Sequence, residues 1–338
     1  MKQILIVDDN LASLKQISMQ LAGQYEVSLA KSGALALEIC MQRKPDLILL
    51  DIEMPEMDGF ETISRIKRNP YLNRIPVIFL TSSYDVEAEV KGLEFGARDY
   101  IRKPVGKNLL LHRIELHLRF SSYQEQMENT VQLMSDSIAT SFAELIEYRD
   151  ENTGGHVVRT SKYVKWLGYE LLKEGRFREE LNGTELEMIV RAAPLHDIGK
   201  IAISDRILLK PGQLNDEEFT IMKQHAVIGG KILDRMYART PTQRYLQYAK
   251  IIALSHHERY DGTGYPYGLT GAAIPLCGRI MAVADVYDAL MDNRIYRRGM
   301  KHADAYRIIL EEKGSHFDPY IVDAFEAIHE ELAAEYTI

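Results

Sequence analysis

The hydrophobic rhythm of this chain changes twice. Up to about residue 120, short apolar runs alternate with amphipathic stretches. ILIV at 4–7, EVSLA at 26–30, DLILLDI at 46–52, PVIFLTS at 76–82 and DYIRKP at 99–104 read as strands. LASLKQISMQLAG at 11–23, closed by Gly23, and a stretch near 33–43 read as helices. Five strands with helices between them predict an α/β doubly wound parallel sheet, whose ligands bind at the carboxyl ends of the strands. Tyr123, Met127, Val131, Met134, Ile138, Phe142 and Leu145 then recur at helical spacing, predicting a helix with one apolar stripe over 121–145. Such a stripe needs cover, which either a two-helix coil in a homodimer or packing on the following domain supplies. Beyond it the pattern is helical almost throughout, punctuated by turns at TGG 153–155, KPGQ 210–213 and DGTGYPYG 261–268. The expected organisation is a domain at 1–120, a helical linker at 121–145 and an all-α domain at 146–338.

Composition narrows the class. With 338 residues, 46% hydrophobic and 27% charged, the chain fits a soluble protein of two domains. Its net charge of −8 argues against a nucleic-acid polymer as partner. Cys40 and Cys277 stand alone, in no CxxC, which fits a reducing cytoplasmic setting. The opening MKQILIVDDN is no secretory signal, and no run approaches the roughly 20 apolar residues of a membrane span, so no direct membrane insertion is expected.

The first domain gathers chemistry at one sheet edge. Asp8 and Asp9 end the first strand, Asp51 the third, Thr81 the fourth and Lys103 the fifth. Hard carboxylate oxygens suit Mg²⁺, a carboxylate nucleophile suits acyl-phosphate formation, and a lysine offsets phosphoryl charge. VDD at 7–9, LLDIEMPEMDGFE at 49–61, LTS at 80–82 and DYIRKP at 99–104 resemble a response-regulator receiver domain. The resemblance implies that Asp51 is the phosphoacceptor. It also implies that Asp8, Asp9, Asp51 and the carbonyl of Glu53 hold Mg²⁺, and that Thr81 and Tyr100, with Lys103, form the switch. A sensor histidine kinase is the implied partner, and Lys103–Pro104 is a candidate cis bond.

The second half carries a different donor set: His156, the pair His196-Asp197, His225, the pair His256-His257, and Asp285. Nitrogen and oxygen donors without thiolate favour Fe, Mn, Co or Zn, and an adjacent His-Asp on a helix allows the aspartate to bridge two ions. His302, His316 and His329 read as packing or surface residues. PLHDIGKIAISDRILLKPGQLNDEEFTIMKQHAVIGGKIL at 194–233, HHERYDGTGYPYGLTGAAIPLCGRIMAVADVYDAL at 256–290 and HFDPYIVDAF at 316–325 resemble an HD-GYP domain, from about 145 to the end. The resemblance implies a metal-dependent phosphodiesterase for cyclic di-GMP. One ion would lie among His156, His196, Asp197 and Asp285, and the other among Asp197, His225, His256 and His257. Iron or manganese is expected, with Zn, Co or Ni as other occupants.

Lys200, beyond Asp197, is expected to offset transition-state charge. Arg294 and Arg297 match phosphate-contacting positions, on one face if the helix carrying Asp285 continues. The Gly264-Tyr265-Pro266 loop reads as a latch or a docking surface for other signalling domains. Asn152, with Glu151 one step off, stands where some relatives place a glutamate that helps bind a third metal, so two metals and mainly pGpG as product are expected. A cyclic-dinucleotide sensor with little turnover, and a phosphodiesterase for another cyclic dinucleotide, are the competing readings.

Overall fold

The computed structural model describes residues 1–82, 92–149, 155–292 and 299–336. It divides into two compact units, Met1–Val131 and Gln132–Ile338.

In the first unit, β1 (Gln3–Val7), β2 (Glu26–Ala30), β3 (Leu47–Asp51), β4 (Val77–Thr81) and β5 (Asp99–Arg102) form one parallel sheet in the order β2-β1-β3-β4-β5. The central strands β1, β3 and β4 are buried at every position, as their runs of four apolar residues require of strands covered on both faces. Leu14, Ile17 and Leu21 of α1 (Leu11–Leu21) pack against Ile4, Ile6, Leu49 and Ile78 on one face. Ile63 and Ile66 of α3 (Gly59–Arg68) join Leu5, Ile48, Leu50 and Phe79 on the other, with α2 (Gly33–Gln42). Asn10 caps α1 and Asp58 caps α3, each side chain accepting backbone N–H groups of the first turn. Gly59 is required by proximity: a Cβ there would stand 2.4 Å from the carbonyl oxygen of Asp51.

The stripe predicted for 121–145 belongs to a much longer element. A single helix of 43 residues runs from Lys107 to Arg149, with Leu110 and Ile114 buried near its start. Met127, Met134, Ile138 and Leu145 are 70%, 59%, 55% and 67% exposed, so the described residues leave the stripe uncovered. Ala143, Ile146 and Glu147, on another face near the end of the helix, are buried.

The second unit is helical. Helices His156–Lys173, Gly183–Ala192, Gln224–Arg239, Tyr245–Ser255, Leu276–Met291, His302–Glu311 and Pro319–Tyr336 surround a core that includes Tyr163, Leu167, Ile189, Ile252, Ile280, Tyr287 and Phe325. Among the described residues its only bridge of sheet type is Lys313 with Phe317. No described helix is long and apolar enough to cross a membrane.

Candidate metal centre

The sheet edge of the first unit assembles as its sequence implies. Asp8, Asp9 and Asp51 bring carboxylate oxygens within 4.8 Å of one another. Lys103 Nζ lies 2.7 Å from Asp8 Oδ2 and 3.0 Å from Asp51 Oδ2. Burial raises the Asp51 carboxyl, an effect the Lys103 ammonium opposes. Burial alone would lower Lys103, but Asp8 and Asp51 hold it raised and charged. Thr81 is buried at the end of β4, Tyr100 lies in β5 opposite Phe79, and Glu53 is exposed just beyond β3. Lys103–Pro104 is cis, as is Tyr265–Pro266.

In the second unit, residues from five segments converge. His156 opens its helix, His225 lies in the first turn of Gln224–Arg239, His256 follows Ser255 at a helix end, and Asp285 lies within Leu276–Met291. The helix expected at His196-Asp197 is absent. The pair lies between two 3-10 turns, Ala193–Leu195 and Ile198–Ala202, where Asp197 leaves helical geometry at φ −101° and ψ 11°. Gly199 allows this segment to lie against the His225 helix, since a Cβ there would meet the His225 carbonyl oxygen at 1.9 Å.

Two groups of donors result, each with its atoms within 4.8 Å of one another: His156, His196 and Asp285, and Asp197, His225, His256 and His257. Asp197 also reaches the first group. Its Oδ2 lies 3.4 Å from His196 Nε2, while its Oδ1 lies 3.2 Å from His225 Nε2 and 3.7 Å from His256 Nε2. His156 Nε2 is 3.4 Å from Asp285 Oδ1 and 3.5 Å from His196 Nε2.

The imidazoles are turned to leave Nε2 free. Nδ1 of His196 donates to the Ala193 carbonyl at 3.0 Å, that of His225 to Met222 at 2.8 Å, and that of His256 to Ile252 at 2.9 Å. His156 Nδ1 donates to the Asp288 carboxylate at 2.8 Å. Fixing the Nδ1 proton in this way presents an Nε2 lone pair, the arrangement a metal ligand requires. Among the described residues, Asp197 Oδ1, His225 Nε2 and His256 Nε2 are buried without a hydrogen-bond partner. Orphaned buried polar atoms are costly, and three of them aimed at one point fit a divalent cation. The electrostatics divide the imidazoles. Burial, then neighbouring imidazoles, hold His257 well below its ordinary value, and burial likewise lowers His256. Burial would also lower His196, but Asp197 and Asp285 raise it to about 9. Burial would raise Asp197, yet Lys200 and His196 hold it well below the carboxylate range. Lys200 Nζ is 2.8 Å from Asp197 Oδ2.

The Gly264-Tyr265-Pro266 loop forms one wall. The Tyr265 ring stacks on His257 with centroids 4.7 Å apart, and burial raises its phenol. The buried Glu258 carboxylate accepts the N–H groups of Tyr267 at 2.7 Å and Leu269 at 3.0 Å, tying the loop to the His256-His257 segment. His302 and His329 pair with each other at 3.0 Å, and His302 also meets the Tyr287 hydroxyl at 2.9 Å. His316 stacks on Phe317.

The helix carrying Asp285 ends at Met291, with Asp292 extended, so it does not continue as the reading for Arg294 and Arg297 assumed. Both arginines lie outside the described residues, as do Glu151 and Asn152. Sequence reasoning missed Asp288, although its spacing from Asp285 on one helix face was a usable signal. It also missed Glu147, Arg149 and Glu258, which bond mainly to backbone groups that no side-chain pattern reveals.

This combination defines a class: an α/β unit with an aspartate–lysine cluster at its sheet edge, joined to a helical unit with paired His/Asp donor groups. A response regulator receiver domain matches residues 4–115 and an HD domain matches 140–321. The chain belongs to the family of response regulators that join a receiver domain to an HD domain. It is 44% identical over 337 residues to a Vibrio cholerae protein named "Probable cyclic di-GMP phosphodiesterase", covering 95% of this chain and 76% of that protein. It is 36% identical over 338 residues to the Xanthomonas campestris "Cyclic di-GMP phosphodiesterase response regulator RpfG", covering 95% and 86%. A Vibrio cholerae "3'3'-cGAMP-specific phosphodiesterase 2" is 40% identical over 189 residues, covering 56% of this chain and 34% of that protein. The HD domain implies divalent metal binding.

Proposed function

We propose that this chain hydrolyses cyclic di-GMP, mainly to pGpG, at a centre of two divalent metal ions, under control of phosphorylation at Asp51. The observation that carries the reading is Asp197. Its two carboxylate oxygens face separate histidine groups, and the oxygen aimed at His225 and His256 is buried and unpaired. His156, His196, Asp197 and Asp285 would hold one ion, and Asp197, His225, His256 and His257 the other. Iron or manganese suits this donor set, with Zn, Co or Ni as substitutes. Bound ions supply Lewis acidity that makes water a nucleophile near neutral pH. Lys200 stands beside Asp197 to offset charge on a phosphate oxygen, and the Tyr265 ring holds His257 in place.

In the receiver unit, Asp8, Asp9, Asp51 and the Glu53 carbonyl would hold Mg²⁺ while Asp51 takes a phosphoryl group from a sensor histidine kinase in the cytoplasm. The Thr81–Tyr100 pair would report it. A second copy of the chain would cover the exposed stripe on the long helix. The outer edge of the Gly264-Tyr265-Pro266 loop, where Tyr267 is 60% exposed, would meet other signalling domains.

Product release from cyclic di-GMP with Mn²⁺ or Fe²⁺, for wild type and a His196→Ala/Asp197→Ala variant, tests the activity. Cleavage by wild type alone is expected; equal binding without cleavage by either would favour the sensor reading. The relative named for 3'3'-cGAMP makes that dinucleotide the competitor to run alongside.

A further inference from the structure

The long helix Lys107–Arg149 ends against two donor-bearing segments, the one that opens at His156 and the one that follows Asp197. Arg149 donates Nη1 to the carbonyls of Lys200 at 3.3 Å and Ile201 at 2.9 Å, and Nη2 to that of Ile203 at 2.7 Å. It also donates Nε and Nη2 to Asp205 Oδ1 at 2.9 Å and 2.7 Å. These carbonyls close the 3-10 turn Ile198–Ala202 that follows directly from Asp197 and carries Lys200. A planar guanidinium can satisfy several acceptors at once, which an ammonium cannot.

Two residues earlier, the buried carboxylate of Glu147 accepts the backbone N–H groups of His156 at 3.0 Å and Val157 at 3.3 Å. These are orphan donors of a helix whose own N-cap, Gly155, provides no side chain. Glu147 therefore caps the helix from outside, where a carboxylate also suits the positive helix end. Glu147, Ala143 and Ile146 line one small cavity together with His156, His196, Asp197 and Lys200.

We infer that Glu147 and Arg149 are positioning residues of the metal centre, Glu147 setting His156 and Arg149 setting the Asp197–Lys200 segment. The inference rests on the two-metal reading above. It makes the last turn of a helix that begins at Lys107, just after β5, a structural part of the site.

Glu147→Gln, Arg149→Lys and Arg149→Ala in the full chain test it, through Mn²⁺ titration of metal-free protein, kcat and KM for cyclic di-GMP, and melting temperature. Glu147→Gln should weaken one Mn²⁺ site about ten-fold and leave the other unchanged. Arg149→Lys and Arg149→Ala should lower kcat about ten-fold or more with KM within about two-fold, because Lys200 and Asp197 lose their set position. Wild-type Mn²⁺ affinity in Glu147→Gln together with wild-type kcat in the Arg149 variants overturns the inference, including when melting temperature falls. Absence of turnover in wild type would remove the proposed function, while the Mn²⁺ titrations would still decide the positioning roles: weakened binding in Glu147→Gln and in the Arg149 variants supports them, and wild-type affinity in all three overturns them.

Discussion

Oδ2 of Asp288 accepts the Nδ1 proton of His156 at 2.8 Å, and the other oxygen of the same buried carboxylate takes Arg159 Nε at 2.7 Å. A carboxylate behind a ligating imidazole fixes its ring and raises its basicity. Asp288→Asn should therefore weaken binding of one Mn²⁺ about 10- to 100-fold without removing the second site. Calorimetric titration of metal-free protein checks this. Loss of the charge partner for Arg159 should also cost about 1–3 kcal/mol of stability, read from denaturant unfolding.

Thr81 and Lys103 close the strand edge around Asp51, and the long helix starts at Lys107, four residues past Lys103. Beryllofluoride with Mg²⁺, a phosphoryl mimic, should change the phosphodiesterase rate of wild type. Asp51→Asn and Lys103→Ala should abolish that response while leaving the basal rate near wild type. Identical wild-type rates with and without the mimic would remove the coupling.

The exposed stripe gives a prediction about assembly. Burying Met127, Met134, Ile138 and Leu145 against a second copy would remove apolar surface worth about 1.5–3 kcal/mol per side chain. Met134→Glu/Ile138→Glu should convert a dimer to a monomer in sedimentation velocity. A wild type that remains monomeric at high micromolar concentration would contradict the dimer.

Burial, reinforced by Arg259, holds His316 down at about 4, while Glu312, Asp261 and Asp285 pull the other way. Because the folded value lies below the unfolded value of about 6.5, the neutral ring contributes stability above pH ~6.5. That contribution fades as pH falls toward 4, since only the unfolded chain takes up the proton. His316→Gln should flatten the fall of melting temperature between pH 6.5 and 4 relative to wild type. Parallel profiles would show that His316 does not titrate in this way.

Much of this was legible in the sequence, for identifiable reasons. β1, β3 and β4 each carry four consecutive apolar residues because both faces are covered, so a simple apolar count finds them. The seven donors stood out because two adjacent pairs, His196-Asp197 and His256-His257, are unusual in a chain with 10 histidines. The backbone beneath them was not legible. His196-Asp197 lies between 3-10 turns because the segment must approach the His225 helix at Gly199, a constraint imposed from elsewhere in the fold. The helix start at Lys107 was hidden because its first turns bury only Leu110 and Ile114, too few positions to mark a stripe of their own. Glu147 and Arg149 act on backbone groups up to 54 residues away, and such contacts leave no periodic trace.

The central claim is a two-metal centre that cleaves cyclic di-GMP, and anaerobic metal analysis paired with a turnover assay on the same preparation tests it most directly. The expected result is two ions of iron or manganese per chain and release of pGpG, with both metal content and turnover lost in His196→Ala/Asp197→Ala. Three tightly held ions would contradict the two-metal assignment, and full metal loading without cleavage of cyclic di-GMP would contradict the enzyme.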